Sequence, residues 1–199
     1  MRRESSTVVC LVGELPGQLL TELGRSPNVS VIRPAGDAAG SLDAAARSLA
    51  EAARRMSPFV LVAADPLAGL AAAWQAMWDV TQGPAGVAAF EQQAAGTLAA
   101  WRDRRFELPD YYLVAAGDGG GEDPAAGPGF HLGPLRAARP RRVSAVVATG
   151  GPEDAARIRQ ALRELPHGPW WPPLTEVVGT ARGFYAGGLA EGAGSLAAP

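Results

Sequence analysis

Glu14, Asp65 and Asp118 each stand just after a short apolar run, at the place where a strand would end. In an open parallel sheet, ligands bind beyond the carboxyl ends of the strands. Three carboxylates converging there could hold Mg²⁺, a hard cation that takes oxygen ligands, and so support metal-assisted phosphoryl chemistry. Each acid also has a plain structural explanation. Asp65 precedes Pro66 and suits a helix cap, Asp118 belongs to a glycine-rich turn, and Glu14 suits exposure between a strand and a helix. Thr149 closes a further apolar run in the same way.

The remaining chemistry is sparse. The chain has no lysine, so all 18 basic residues are arginine. A Schiff-base lysine and a Walker-type phosphate lysine are therefore excluded. Phosphotransfer sites like those of response regulators or haloacid phosphatases each lose a usual partner for the phosphoryl group. The single cysteine, Cys10, excludes an internal disulfide and a cysteine-based zinc site, and its apolar surroundings suit packing. His131 and His167 are the only histidines, and no G-x-S-x-G elbow supplies a nucleophile for either. Between Phe130 and Leu132, His131 suits a hydrogen-bonded structural role as well as a ligand contact. His167 belongs in a surface turn. The glycine-rich turns at 13–17, 117–121 and 150–151 could offer backbone N–H groups to an anion, but none fits the dinucleotide fingerprint.

Two stretches suit recognition. Arg136, Arg139, Arg141 and Arg142 could grip a phosphate or a partner's carboxylates. Trp170 and Trp171 lie among Pro166, Pro169, Pro172 and Pro173, a stiff aromatic segment that could line a pocket, present a binding surface or cover a sheet edge. Successive side chains alternate on an extended chain, so one indole should face inward, against the preceding helix, and the other outward.

The elements that must position these residues follow from periodicity. The clearest unit is Arg142–Leu165: an apolar run through Val143–Ala148, a Gly150–Gly151 break, Pro152 at a helix start, and Ile158, Leu162 and Leu165 at helical spacing. Further strands are expected near 7–12, 29–32, 59–64 and 111–116; the run at 59–64, like Val143–Ala148, is apolar without alternation, as in a strand buried on both faces of a parallel sheet. Helices are expected over 18–23, 41–55 with Ser41 as cap, 67–79, 87–105, 152–165 and 174–185. The consecutive pair between 67 and 105 would form a subdomain or an extra layer over the sheet. Residues 117–129 read as a flexible, exposed loop, and Phe130–Leu135 as a short edge strand or ordered loop. The expected fold is an α/β three-layer sandwich: a mainly parallel, Rossmann-like sheet of about five strands flanked by helices. One domain is expected over 1–186, with 187–199 as a loosely ordered tail.

A net charge of −2 gives no global field for nucleic acid or an anionic membrane, and no segment approaches a roughly 20-residue span. A cytoplasmic protein is expected. Lysine-free, Ala/Gly/Pro/Arg-rich composition points to a high-GC bacterial genome. The residues identify no cofactor. The leading expectation is a non-catalytic module binding a protein partner or small ligand through His131, Arg136, Arg139, Arg142, Trp170 and Trp171. The alternative is a small Mg-dependent enzyme acting on a nucleotide or other phosphorylated metabolite through Glu14, Asp65 and Asp118.

Overall fold

The computed structural model describes residues 6–13, 15–34, 41–79, 81–116 and 129–195. The elements run in the order β1 (Thr7–Val12), α1 (Gly17–Gly24), β2 (Val29–Ile32), α2 (Leu42–Ala52), β3 (Phe59–Val62), α3 (Ala68–Ala76), α4 (Pro84–Arg102) and β4 (Tyr111–Ala116). A π-helical turn (His131–Leu135) then leads into α5 (Arg136–Ala138), β5 (Val143–Val147), α6 (Asp154–Arg163) and α7 (Leu174–Ser195).

All five expected strands join one sheet, in the order β2-β3-β1-β4-β5, and every pairing is parallel. Right-handed crossovers then dictate which face each helix takes. The step from β1 to β2 runs one way across the sheet, and every later step runs the other way. So α1 lies on one face with α6, where Leu19, Leu20 and Leu23 meet Ile158 and Leu162 over Val9, Leu11 and Leu113. The other face carries α2, through Ala45 and Leu49 on Val8, Val60 and Val62. It also carries α3, α4, the π-turn and α7, around Trp74, Phe90, Phe130, Leu135 and Val177. The result is the expected α/β three-layer sandwich, and the α3–α4 pair forms part of a layer.

Local chemistry explains the ends. Ser41 accepts the Ala44 N–H at 3.2 Å and caps α2. At the close of β1, Gly13 has φ 122° and passes so near β4 that a Cβ would stand 2.5 Å from the Ala115 carbonyl oxygen, a place open only to glycine. The stretch from Phe130 to Leu135 corrects the expectation of an edge strand or loop, because it is helical. Pro134 sits in its wide π-type turn, where the normal α-helical i→i−4 ladder is already broken and a missing N–H costs least. Helix α7 continues past the expected end at Tyr185, to Ser195; residues 196–199 lie outside the described residues. It is fixed by Val177, Val178 and Ala181, by the Trp74 indole N–H donating to the Ala181 carbonyl at 3.2 Å, and by a two-pronged Arg182–Glu91 pair at 2.6 and 2.8 Å. That pair holds the Glu91 carboxyl below its usual range. No described helix is long and apolar enough to cross a membrane.

Candidate functional site

At the carboxyl ends of the strands, connections from β1 and from its neighbours β3 and β4 leave to opposite faces, which makes the topological switch point. Of the three candidate metal ligands, Asp65 is placed there; Glu14 and Asp118 lie outside the described residues, as does the expected flexible segment 117–129 except Gly129, which is helical. The Asp65 carboxylate is already engaged. One oxygen accepts the Leu67 N–H at 2.8 Å and the Tyr112 hydroxyl at 3.1 Å, and the other lies 2.9 Å from His131 Nε2. A carboxylate only accepts, so Nε2 carries the shared proton. The expected cap position shifts: α3 begins at Ala68 with Leu67 as its N-cap and no side-chain cap bond, and Asp65 instead closes the turn ahead of the helix by accepting the Leu67 N–H.

This network is largely buried, with Asp65 only partly so. His131 and Tyr112 are buried, and their rings approach each other at 5.5 Å. Cys10 lies beside them, its thiol donating to the Ala64 carbonyl at 3.7 Å. Burial, and then the Asp65 charge, push the Cys10 thiol well above its ordinary value. The same two causes, in the same order, raise the Tyr112 phenol. Neither group supplies an anionic nucleophile or base near neutrality, so the packing role expected of Cys10 fits its surroundings. Among the described residues no group of three or more His, Cys, Asp or Glu side chains could hold a metal ion.

The turn at 149–151 has an occupant of its own. The N–H groups of Thr149 and Gly150 donate to the buried Asp154 carboxylate at 3.2 and 2.8 Å. Gly150, at φ 78°, gives the turn the left-handed step that points both donors inward. The anion in this cradle is a side chain of α6.

The amino ends of the strands hold the recognition residues. The chain enters β5 through 139–142 and leaves α6 through 164–173, so both stretches lie at the same edge. There three arginines grip backbone carbonyls. Arg139 Nε donates to Trp170 at 2.7 Å and Arg141 Nη1 to His167 at 3.2 Å. Arg142 donates through Nε to Pro169, through Nη1 to Asp110 and through Nη2 to Gly168, at 2.9, 3.1 and 2.8 Å. Its guanidinium carbon also stands 4.7 Å from the Tyr111 ring centre and 5.2 Å from that of Trp170. The expected phosphate grip thus gives way, at Arg139 and Arg142, to a clamp on the tryptophan segment: fixed carbonyls nearby suit the planar guanidinium fork. Arg136 is exposed on α5.

The two indoles divide as the alternation predicts. Trp171 is 7% exposed and donates its indole N–H to the Pro109 carbonyl at 2.7 Å, while Trp170 is 54% exposed. The inward ring does not pack on α6, contrary to the expectation. It meets Tyr112 edge-on at 5.6 Å and joins the core under α7, on the opposite face of the sheet from α6. Between them the clamp and the indoles border a cleft of about 780 Å³. Its walls include Trp101, Tyr111, Trp170 and Trp171, with Glu107, Asp110, Arg142 and His167 as the ionisable groups.

Of the six residues expected to bind a ligand, Arg142, Trp170 and Trp171 line this cleft, Arg139 donates to the Trp170 carbonyl without lining it, Arg136 stands apart on α5, and His131 belongs to the separate network around Asp65. Sequence reasoning passed over Trp101, Glu107, Asp110 and Tyr111 in the cleft, and Tyr112 beside Asp65. A scan against protein-family models and searches of curated proteins and of solved structures each return no match.

Proposed function

We propose that the protein is a non-catalytic binding module of the bacterial cytoplasm, and that its ligand site is the cleft at the amino edge of the sheet. The observation that carries this reading is Trp170: half its surface is open while three neighbouring arginines fix the backbone on which it stands. A large aromatic held in place before binding contributes contact area at little ordering cost. The cleft's size lies within the range of small-ligand sites, roughly 300–1,000 Å³, and its aromatic walls with a few polar groups are of the usual kind. A net charge of −2 supports a small ligand or protein partner over nucleic acid.

The test is a thermal-shift panel of amines, amino acids, nucleosides and carboxylic acids, followed by calorimetry of whatever stabilises the chain. A ligand of the cleft should lose at least tenfold in affinity in Trp170→Ala, whose unliganded melting temperature stays near that of the parent. Unchanged affinity in that variant would remove the cleft as the site.

The enzyme reading rests on one observation, the Asp65–His131 pair beside the switch point. A Mg²⁺ site there would have to compete with three donors already on Asp65. Stabilisation by MgCl₂ with ADP, abolished by Glu14→Gln or Asp118→Asn, would favour it over the binding reading.

A further inference from the structure

We infer that two copies of the chain associate through the free edge of β5, strand against antiparallel strand, about a two-fold axis perpendicular to the sheet. This surface is independent of what the amino-edge cleft binds. β5 closes one end of the strand order, and its one neighbour is β4. The Tyr112 N–H donates to the Arg142 carbonyl at 2.8 Å, and the Ala148 N–H to the Ala116 carbonyl at 2.9 Å. Backbone groups alternate sides along a strand, so Ser144 and Val146 turn theirs towards β4, and Val143, Ala145 and Val147 turn theirs outward. Among the described residues, no other strand or turn bonds to these outward groups. The edge is also bare: Ala145 is exposed, Val147 is 48% exposed, and the strand carries no charge. Charge, proline or a bulge usually guards such an edge, since an open ladder pairs with any matching strand. The opposite edge, β2, is guarded in this way, because the groove along it is lined by Arg25, Arg33 and Arg55 with no carboxylate. Two β2 edges would bring those guanidiniums face to face; two β5 edges meet no such barrier.

Helix α6 makes the contact self-complementary. A groove of about 480 Å³ runs beside Ala145, Val146 and Val147, and α6 borders it with Arg157, Gln160, Ala161 and Glu164, which share one helix face. The helix follows β5 and returns the chain to the amino edge. Arg157 therefore stands towards the carboxyl end of the strand and Glu164 towards its amino end. A two-fold centred on Ala145 reverses that order in the second copy, and sets Arg157 of each copy against Glu164 of the other. Both groups have partners in their own chain: Arg157 faces Glu153 at 3.2 Å, and Glu164 accepts from Gln160 at 3.0 Å. The association therefore rests on the backbone ladder and the exposed Val147, while opposite charges across the axis favour this orientation over one that would bring like charges together. The two-fold closes the assembly at a dimer. With only 5 residues in the strand, the interface belongs to the small, reversible class.

The experiment is sedimentation analysis of the full chain from about 1 µM to about 1 mM, a range that spans moderate to very weak contacts. The parent should pass reversibly from monomer to dimer and no further. Val147→Lys places a charge on the bare edge, and Ala145→Pro removes an outward N–H without touching the β4 ladder. Each should raise the dissociation constant at least about tenfold, while circular dichroism and melting of the dilute chain verify the fold. Glu164 is exposed at the end of α6, where a cation suits the helix dipole. Glu164→Arg sets a second guanidinium against Arg157 of the other copy and should weaken the dimer at least about threefold, less so in about 0.5 M salt. Arg25→Ala, on the β2 edge, should leave association unchanged. A chain monomeric up to about 1 mM would overturn the inference, as would association indifferent to both Val147→Lys and Ala145→Pro or altered by Arg25→Ala. Growth beyond a dimer, or a dimer that Glu164→Arg leaves untouched, would overturn the two-fold arrangement.

Discussion

The two edges of the sheet use their charged residues in opposite ways. At the carboxyl edge, Asp154 is buried and Asp65 partly buried, and each spends its carboxylate on nearby N–H and O–H donors. At the amino edge, the arginines spend their donors on backbone carbonyls, and the aromatic surface they support remains open. Burial of charge with full pairing makes a rigid, closed region, because an orphaned partner would be costly. Arginine on main-chain carbonyls instead fixes a loop that regular structure does not, and lets its side chains face a cleft. In the described residues the open chemistry therefore lies opposite the edge where a parallel sheet usually binds its ligands.

The largest effect separates the inner layer of the amino edge from its surface. Trp171→Ala removes a buried indole that packs on Tyr112 and donates to Pro109. Urea denaturation should show a loss of about 3–5 kcal/mol, the usual range for deleting a large core aromatic. A loss below about 1 kcal/mol would mean that this edge is a loose flap, and its contrast with the closed edge would disappear.

Next comes the pairing at the other edge. His131→Ala strips Asp65 of a donor inside the protein, and the expected loss is about 2–3 kcal/mol, typical of a hydrogen bond to a charged buried group. If His131 serves structure, Asp65→Ala with His131→Ala should cost much less than the sum of the two single changes, since each single variant already breaks the pair. Strict additivity in that cycle would show that the two residues act separately.

The closed edge also predicts a direction with pH. Tyr112 and Cys10 have native ionisation raised above their ordinary values by burial and by Asp65. The unfolded chain therefore loses these protons first, from about pH 8.5 at the thiol and about pH 10 at the phenol. Stability is fully present below those values and falls as pH rises through them towards the higher native values. Denaturation midpoints measured from pH 8 to 11 should decline less steeply in Cys10→Ala and in Tyr112→Phe than in the parent. An equal slope in all three would assign the alkaline loss to other groups.

How far the sequence reaches depends on the kind of constraint. Unalternating runs such as Val60–Val62 and Leu113–Val114 read directly as buried parallel strands, because nothing polar competes for either face. Phe130–Leu135 does not read, because a proline two residues before a helix boundary looks the same in a loop and in a π-turn. The meeting of Asp65, Tyr112 and His131 joins the loop after β3, strand β4 and the π-helical turn, and periodicity carries no information on it. The arginine clamp was within reach. A strand and the helix that follows it return the chain to the starting edge, so residues before β5 must lie beside residues after α6. What stays hidden is the choice between phosphate and backbone carbonyl as the arginines' acceptor, which depends on distances of a few ångströms.

The smallest expected change in stability is the one that most sharpens the contrast between edges. Trp170 is 54% exposed, and its place is held through its own carbonyl and those of its neighbours, which donors on Arg139, Arg141 and Arg142 engage whatever the side chain. Trp170→Ala keeps that backbone clamp intact. It loses the contact with the Arg142 guanidinium at 5.2 Å, an exposed cation–π pair that contributes about 0.5–1 kcal/mol. Denaturation should therefore register a loss no greater than about 1 kcal/mol, several times less than for its neighbour Trp171. The indole would then be a side chain that the fold supports without needing it, as a contact surface requires. A loss approaching that of Trp171→Ala would make both rings core, reduce the cleft to a packing defect, and leave the amino edge as closed as the carboxyl edge.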